Sequence, residues 1–228
     1  MEQAVQFVER RTGVDAVFDY LYAEITSLRL LPGTKISEAE IARMFDLSRQ
    51  PVRDAFSRLE NLDLLLIRPQ KATEVKRFSL KTIKKARFVR AAVEAEVLRR
   101  ASAVCDAESA ARLEKCLDDQ RAVIARDDYP AFGACDYDFH RTLCEIAGVD
   151  FAFEVIKEQK GKVDRLCVLS TMPGGDRMDQ LLEDHEAIAA AVRAHDAEAA
   201  VAAGMQHLSR LDATIRKILT EHEDYIDT

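Results

Sequence analysis

Four residues far apart in the chain have the chemistry of a metal centre. Asp136 and His140 stand at i, i+4 spacing on a stripe that also carries Phe132, Phe139, Leu143 and Ala147. His185 shares the stripe of Leu181, Ile188 and Val192, and His207 that of Ala203, Gly204, Leu211 and Thr214. The periodicity therefore predicts one carboxylate and three imidazoles turned inward. Burying such groups without partners is costly, so they either hydrogen-bond within the core or hold a cation. One Asp and three His suit a single divalent transition metal per chain, with zinc, nickel, manganese and iron all compatible. On the residues alone both readings stand. His195, at a helix end before Asp196, and His222, in the acidic run Glu221-His222-Glu223-Asp224, lie off these stripes.

An ion held by four protein groups keeps coordination positions for water or a carboxylate, which makes a small organic acid the natural ligand class. Arg90 and Glu94 lie one turn apart on an inward stripe, and Arg165 lies near Val163 and Leu166. An inward Arg clamps a carboxylate bidentately, so these three are candidate effector-binding residues. The plainer alternatives are an intrahelical Arg90–Glu94 pair and a solvated Arg165.

A second constellation lies near the N-terminus, where Ser48, Arg49, Gln50, Arg53 and Arg58 decorate a short amphipathic segment and Gln70 and Lys71 sit on a turn. Arg in the first turns of a helix can make bidentate bonds to guanine, and the helix N-terminus brings amides to phosphate. Residues 49–77 hold seven basic and four acidic side chains, while residues 1–78 hold 12 of each. The positive footprint is local, and it points to duplex DNA.

These groups need elements to hold them. Ser37-x-x-Glu40 predicts a reciprocal capping box opening a helix through Ile41, Ala42 and Phe45. Asp46-Leu47 interrupts it, Ser48 caps a second helix with Pro51 in its first turn, and Val52, Phe56 and Leu59 face inward. Leu64–Ile67 and Thr73–Val75 read as two short strands joined by Arg68-Pro69-Gln70-Lys71-Ala72. That is a helix-turn-helix followed by a wing. From Ser79 the patterns are all helical, with starts at Ser79, Asp106, Pro130, Asp150, Asp176 and Asp196 and a break at Pro173-Gly174-Gly175.

Length and charge divide the same way. The 228 residues suit two domains, 1–78 and 79–228, and 48% hydrophobic residues suffice for sizeable cores. The net charge of −7 falls on residues 79–228, with 21 basic and 28 acidic side chains, so that half is not expected to touch DNA. With no long apolar run and no signal-like segment at Met1-Glu2-Gln3-Ala4, a cytoplasmic protein with no membrane contact is expected. Cys105, Cys116, Cys135, Cys144 and Cys167 form no Cys-x-x-Cys pair, which fits reduced and mostly buried thiols.

The stretch from Leu31-Pro32-Gly33 to Val75, with Ser37-x-x-Glu40-Ile41-Ala42 and Leu47-Ser48-Arg49-x-Pro51-Val52-Arg53-x-Ala55, resembles the DNA-binding domain of the GntR family of bacterial transcription regulators. It departs from that family in having Asp63 and Ala72 at two positions where Gly is usual. Asp136-x-x-Phe139-His140-x-x-Leu143, Glu183-Asp184-His185-x-x-Ile188 and Met205-x-His207-Leu208 resemble the FCD effector domain of the FadR subgroup. The resemblance implies that Arg49, Gln50 and Arg53 read bases or phosphates, that Gln70 and Lys71 reach the minor groove, and that Asp136, His140, His185 and His207 bind metal.

The expectation is therefore a mainly α protein: a winged helix-turn-helix, then an all-helical FCD bundle of about six to seven helices. It should be a homodimeric, operator-binding regulator, a repressor, controlled by a small carboxylate metabolite bound beside a divalent metal, and not an enzyme. The alternatives are regulation by an acyl-CoA or other metabolite around a purely structural metal, and a helical metallohydrolase.

Overall fold

The computed structural model describes residues 12–171 and 177–227. The features expected at Met1–Ala4 and Pro173–Gly175, and the Cys167 side chain, lie outside the described residues. The chain divides between Phe78 and Ser79 into two compact units.

In the first unit α1 (Gly13–Thr26) packs on α3 (Arg49–Asn61), with α2 (Glu38–Met44) between them in sequence. Thr12 accepts from the Asp15 amide, and Asp15 reaches back to the Thr12 amide, so the capping box forms here. At Ser37, where the sequence predicts one, the residue is the N-cap but its side chain makes no capping bond. The spacing located the helix start correctly and the bond wrongly. α2 ends on Asp46 at φ +52°, with the Leu47 amide bonded to the Ala42 carbonyl at 2.9 Å, a left-handed helix stop. α3 ends in the same way on Asp63 at φ +64°, with the Leu64 amide on the Leu59 carbonyl. A positive φ is the conformation Gly adopts most readily, which explains why Gly is usual at that position.

β2 (Leu65–Leu66) and β3 (Thr73–Val75) pair antiparallel, Leu65 opposite Val75. β1 (Lys35–Ile36), too short to show a sequence period, adds to the other side of β3, giving the order β1-β3-β2. At the wing tip the left-handed residue is Gln70 (φ +59°), and Ala72 is not among the left-handed residues. Val17, Leu21, Ile25, Val52, Phe56, Leu59, Leu65 and Val75 form this unit's core. A side chain of this kind contributes about 1.5–3 kcal/mol when fully buried.

The second unit is a helical bundle: α4 (Leu80–Val104), α5 (Ala107–Ile124), α6 (Tyr129–Ile146), α7 (Phe151–Gly161), α8 (Asp164–Thr171), α9 (Arg177–Arg193), α10 (Ala197–Ser209) and α11 (Leu211–Glu221). Two of the helices expected from the sequence are each split, so the bundle exceeds six or seven. The fourth breaks after Gly161, where the Lys162 and Val163 amides bond three residues back. The last breaks at Arg210, whose amide bonds the His207 carbonyl. A 3.6-residue period does not register a one- or two-residue tightening of this kind.

The bundle core includes Val97, Leu98, Leu117, Phe139, Leu143, Ile156, Ile188 and Val192. α10 lies close on α4, since a Cβ at Gly204 would meet Leu98 Cδ1 at 2.5 Å. Cys105 and Cys144 are buried, Cys116 and Cys135 half-buried, and all four are free thiols. No helix among the described residues is long and apolar enough to cross a membrane.

Candidate metal centre and nucleic-acid interface

Three helices supply the four candidate ligands. α6 is opened by Asp128, which accepts from the Ala131 amide at 3.1 Å with Pro130 in the first turn, and closed by Gly148 at φ +66°. It carries Asp136 and His140. α9 carries His185, and α10, opened by Asp196 accepting from the Ala199 amide, carries His207. All four side chains are buried, and one ligand atom from each lies within 4.8 Å of the others. The imidazole centroids are 4.7 to 5.7 Å apart, and Phe139 stacks on His185 at 4.4 Å.

A surrounding layer of polar groups orients these rings. His185 Nδ1 meets Gln120 Oε1 of α5 at 2.8 Å. His140 Nδ1 faces Glu94 Oε2 at 3.3 Å, and Glu94 Oε1 accepts from Arg90 Nε at 2.7 Å. His207 Nδ1 is 3.8 Å from Asp184 Oδ2, whose two oxygens accept from Arg210 at 2.9 Å each. Asp136 Oδ1 lies 3.5 Å from His185 Nε2, and its Oδ2 lies 3.1 Å from Lys160 Nζ.

The nitrogens left over carry the fit test for a metal. His140 Nε2, His185 Nε2 and His207 Nδ1 are buried and make no hydrogen bond. A core histidine satisfied by hydrogen bonding would not leave its nitrogen bare, since an unmade buried bond costs about 1–3 kcal/mol. Three such rings, each offering one nitrogen within 4.8 Å of the others and of the Asp136 carboxylate, are the donor set a divalent cation takes. The electrostatics agree. Burial is the main cause that lowers all three histidines from their ordinary value, His185 to about 4 and His207 well below it, so the rings are neutral and able to donate a lone pair. Burial alone would raise Asp136, but the Lys160 ammonium beside it opposes that and holds its carboxyl below the usual range. Asp136 is an anion.

Of the three candidate effector residues, Arg90 and Glu94 form the buried intrahelical pair and also reach the centre through His140. Arg165, on α8, is buried rather than solvated. Gln120, Lys160 and Arg210 were not singled out by sequence reasoning. Gln120 extends the stripe of Leu113 and Leu117, and Lys160 that of Ile156 and Val163, so periodicity places both inward. Amide and ammonium groups on an inward stripe are the signal that could have found them.

In the first unit Ser48, Arg49, Gln50, Arg53, Gln70 and Lys71 are exposed. Gln50 Nε2 donates to Asp54 and Arg53 Nε to Glu38 of α2, both at 2.9 Å. Arg58 is exposed as well, but its contacts run to α1. It donates to Asp15 of α1 at 2.8 Å and lies over the Phe18 ring at 4.1 Å, so it joins two helices.

The two units match two family models. Residues 14–75 match the bacterial regulatory proteins of the gntR family, and residues 86–210 match the FCD domain. The chain is 33% identical over 209 residues to the HTH-type transcriptional repressor RspR of Escherichia coli K12, covering 92% of this chain and 91% of that one. It is 27% identical over 212 residues to the "Probable D-xylose utilization operon transcriptional repressor" of Paenarthrobacter nicotinovorans, with 92% and 91% covered. Among solved structures, E. coli McbR/YncC shares the fold at a TM-score of 0.69 and 16% identity, over 91% of this chain and 99% of that one. The relatives are transcriptional regulators, not enzymes. The chain therefore belongs to the GntR family of bacterial regulatory proteins, a transcriptional regulator in which a helix-turn-helix domain is followed by an FCD domain.

Proposed function

We propose that this protein is a homodimeric repressor whose operator affinity is controlled by a small carboxylate metabolite bound beside a divalent metal. Asp136, His140, His185 and His207 would hold the ion. When bound, it supplies a Lewis-acidic position for an anionic ligand. The observation that carries this reading is that one ligand atom from each of the buried Asp136, His140, His185 and His207 lies within 4.8 Å of the others, while each ring keeps a buried nitrogen without a hydrogen bond. Arg90 and Glu94 back the site through His140, and Arg165 is a further cation buried in the same bundle. The two relatives named as repressors favour repression. Arg49, Gln50 and Arg53 on the first turns of α3, with Ser48 before them and Gln70 and Lys71 on the wing, form the face offered to duplex DNA. Arg58 is left out of that face because α1 holds it. A ligand changes DNA affinity only by binding one arrangement of the dimer better than another.

The test is to select high-affinity duplexes from a random library. Their affinity is then measured for metal-loaded and chelated protein, with and without a panel of mono-, di- and hydroxycarboxylates. A carboxylate that shifts operator affinity in the loaded protein alone supports the reading. A panel without effect on loaded protein, either in operator affinity or in melting temperature, contradicts it.

A further inference from the structure

Lys160 is a buried ammonium that the reading above does not use. It comes from the last turn of α7, only 7% of its surface is accessible, and it sits 4.3 Å over the Tyr137 ring. Its Nζ lies 3.1 Å from Asp136 Oδ2 and 2.9 Å from Asp164 Oδ1, across the break between α7 and α8. The Tyr137 hydroxyl donates to the other Asp164 oxygen. Burying an ammonium is expensive, and here two carboxylates and an aromatic face compensate it.

The two oxygens of Asp136 face different ways. Oδ1 is turned to His185 Nε2 and so to the imidazole cluster, while Oδ2 is turned to Lys160. The Oδ2 contact is an ion pair rather than a formed hydrogen bond, and an ammonium this close to the second oxygen opposes its use by a cation while leaving Oδ1 open. The carboxylate's negative charge is also shared, and a fixed positive charge close to a cation opposes that cation's binding, since Coulomb interactions are strong where water is excluded.

Resting on the metal reading above, we infer that Lys160 is a positioning residue that keeps Asp136 a one-oxygen ligand and weakens the centre's hold on its metal. Two consequences follow. The second Asp136 oxygen does not take up a coordination position, which stays available to an anionic ligand. The ion exchanges with the surrounding solution instead of being locked in, so metal supply as well as the carboxylate can set the state of the regulator. Asp164 tempers the effect by drawing part of the ammonium's charge to itself.

The full-length chain, stripped of metal, is titrated with zinc against a chromophoric chelator. Lys160→Met removes the charge at similar length and should tighten zinc binding at least tenfold. Lys160→Arg keeps the charge and should stay within about threefold of wild type. Asp164→Asn leaves the ammonium more fully committed to Asp136 and should weaken zinc several-fold. Cobalt(II) bands in the visible spectrum, which report coordination number, should change in Lys160→Met and not in Lys160→Arg. Zinc binding by Lys160→Met equal to or weaker than wild type, or identical cobalt spectra, overturns the inference while leaving the metal centre in place. If Lys160→Met does not fold, unchanged zinc affinity in Asp164→Asn overturns it instead. A wild-type chain that takes up neither ion overturns the metal reading itself, and this inference with it.

Discussion

His185 Nδ1 lies 2.8 Å from Gln120 Oε1, and the opposite ring nitrogen of His185 points to Asp136 Oδ1 at 3.5 Å. An amide oxygen only accepts, so the proton sits on Nδ1 and the Nε2 lone pair faces the cluster. Glu94 does the same for His140 from α4. The candidate centre is thus built by two layers, with α6, α9 and α10 supplying donors and α4 and α5 fixing their tautomers.

Gln120→Leu should therefore lower metal affinity about 10- to 100-fold, the usual cost of losing an orienting partner. Leu is close in volume, so the bundle should stay folded, and saturating metal should restore wild-type operator affinity. Competition against a chelator measures this, and an unchanged affinity would show that Gln120 does not orient the ring.

Arg49→Ala and Arg53→Ala should each cost about 1–3 kcal/mol in operator binding, the range of a bidentate base contact, without altering melting temperature. Arg53 must leave Glu38 to reach a base, so Glu38→Ala should not weaken binding. Lys71→Ala should weaken all sequences alike and reduce the salt slope by roughly one unit if it meets only phosphate. Anisotropy titrations over a salt series distinguish these outcomes.

Arg58→Ala should behave in the opposite way. Its guanidinium holds Asp15 and covers Phe18, so its loss should destabilise the first unit, with the exposed ring contact contributing about 0.5–1 kcal/mol. Operator affinity should stay close to wild type. A folded Arg58→Ala protein that has lost operator binding would place this residue back on the DNA face.

The metal-free protein should lose stability on acidification. His185 takes up a proton near 6.5 in the unfolded chain but only near 4 when folded. Its contribution is therefore complete above pH 6.5 and lost as pH falls from 6.5 to 4, about 3 kcal/mol for this ring alone. Asp136, held below its ordinary value, adds a further loss below about pH 3.8. Urea midpoints of chelated protein at pH 7, 5.5 and 4.5 should fall steadily, and a flat series would contradict the buried neutral rings.

Much of this architecture was legible in the chain. Asp136 and His140 at i, i+4, with His185 and His207 on apolar stripes, indicated four inward groups, and those four groups converge. The helix-turn-helix was readable because Ser37, Ser48 and Pro51 mark helix starts. What stayed hidden depended on tertiary distance. Thr12 and Ser37 are equally good caps on paper, yet only Thr12 closes its box. Arg58 is outward as its spacing indicates, but its contacts to Asp15 and Phe18 appear only once α1 is placed beside it. Lys160 and Gln120 cannot be matched to Asp136 and His185 from spacing, because those pairs come from different helices. The breaks at Lys162 and Arg210 are shifts of one hydrogen bond that leave no mark in the hydrophobic period.

The most direct test of the account is metal content. Elemental analysis is made of wild type, His140→Ala, His207→Ala, His195→Ala and His222→Ala, each refolded with zinc, nickel, manganese and iron available. His195 bonds the Ser102 carbonyl and His222 stacks on Tyr225, so both lie outside the centre. The account predicts about one ion per chain in wild type and in the two controls, with loss of the ion in His140→Ala and His207→Ala. It also predicts a fall in melting temperature on chelation, because an ion that binds only the folded state stabilises it. A metal-free wild type, or metal lost equally from the His195 and His222 variants, would contradict it and return the three buried histidines to the role of core residues.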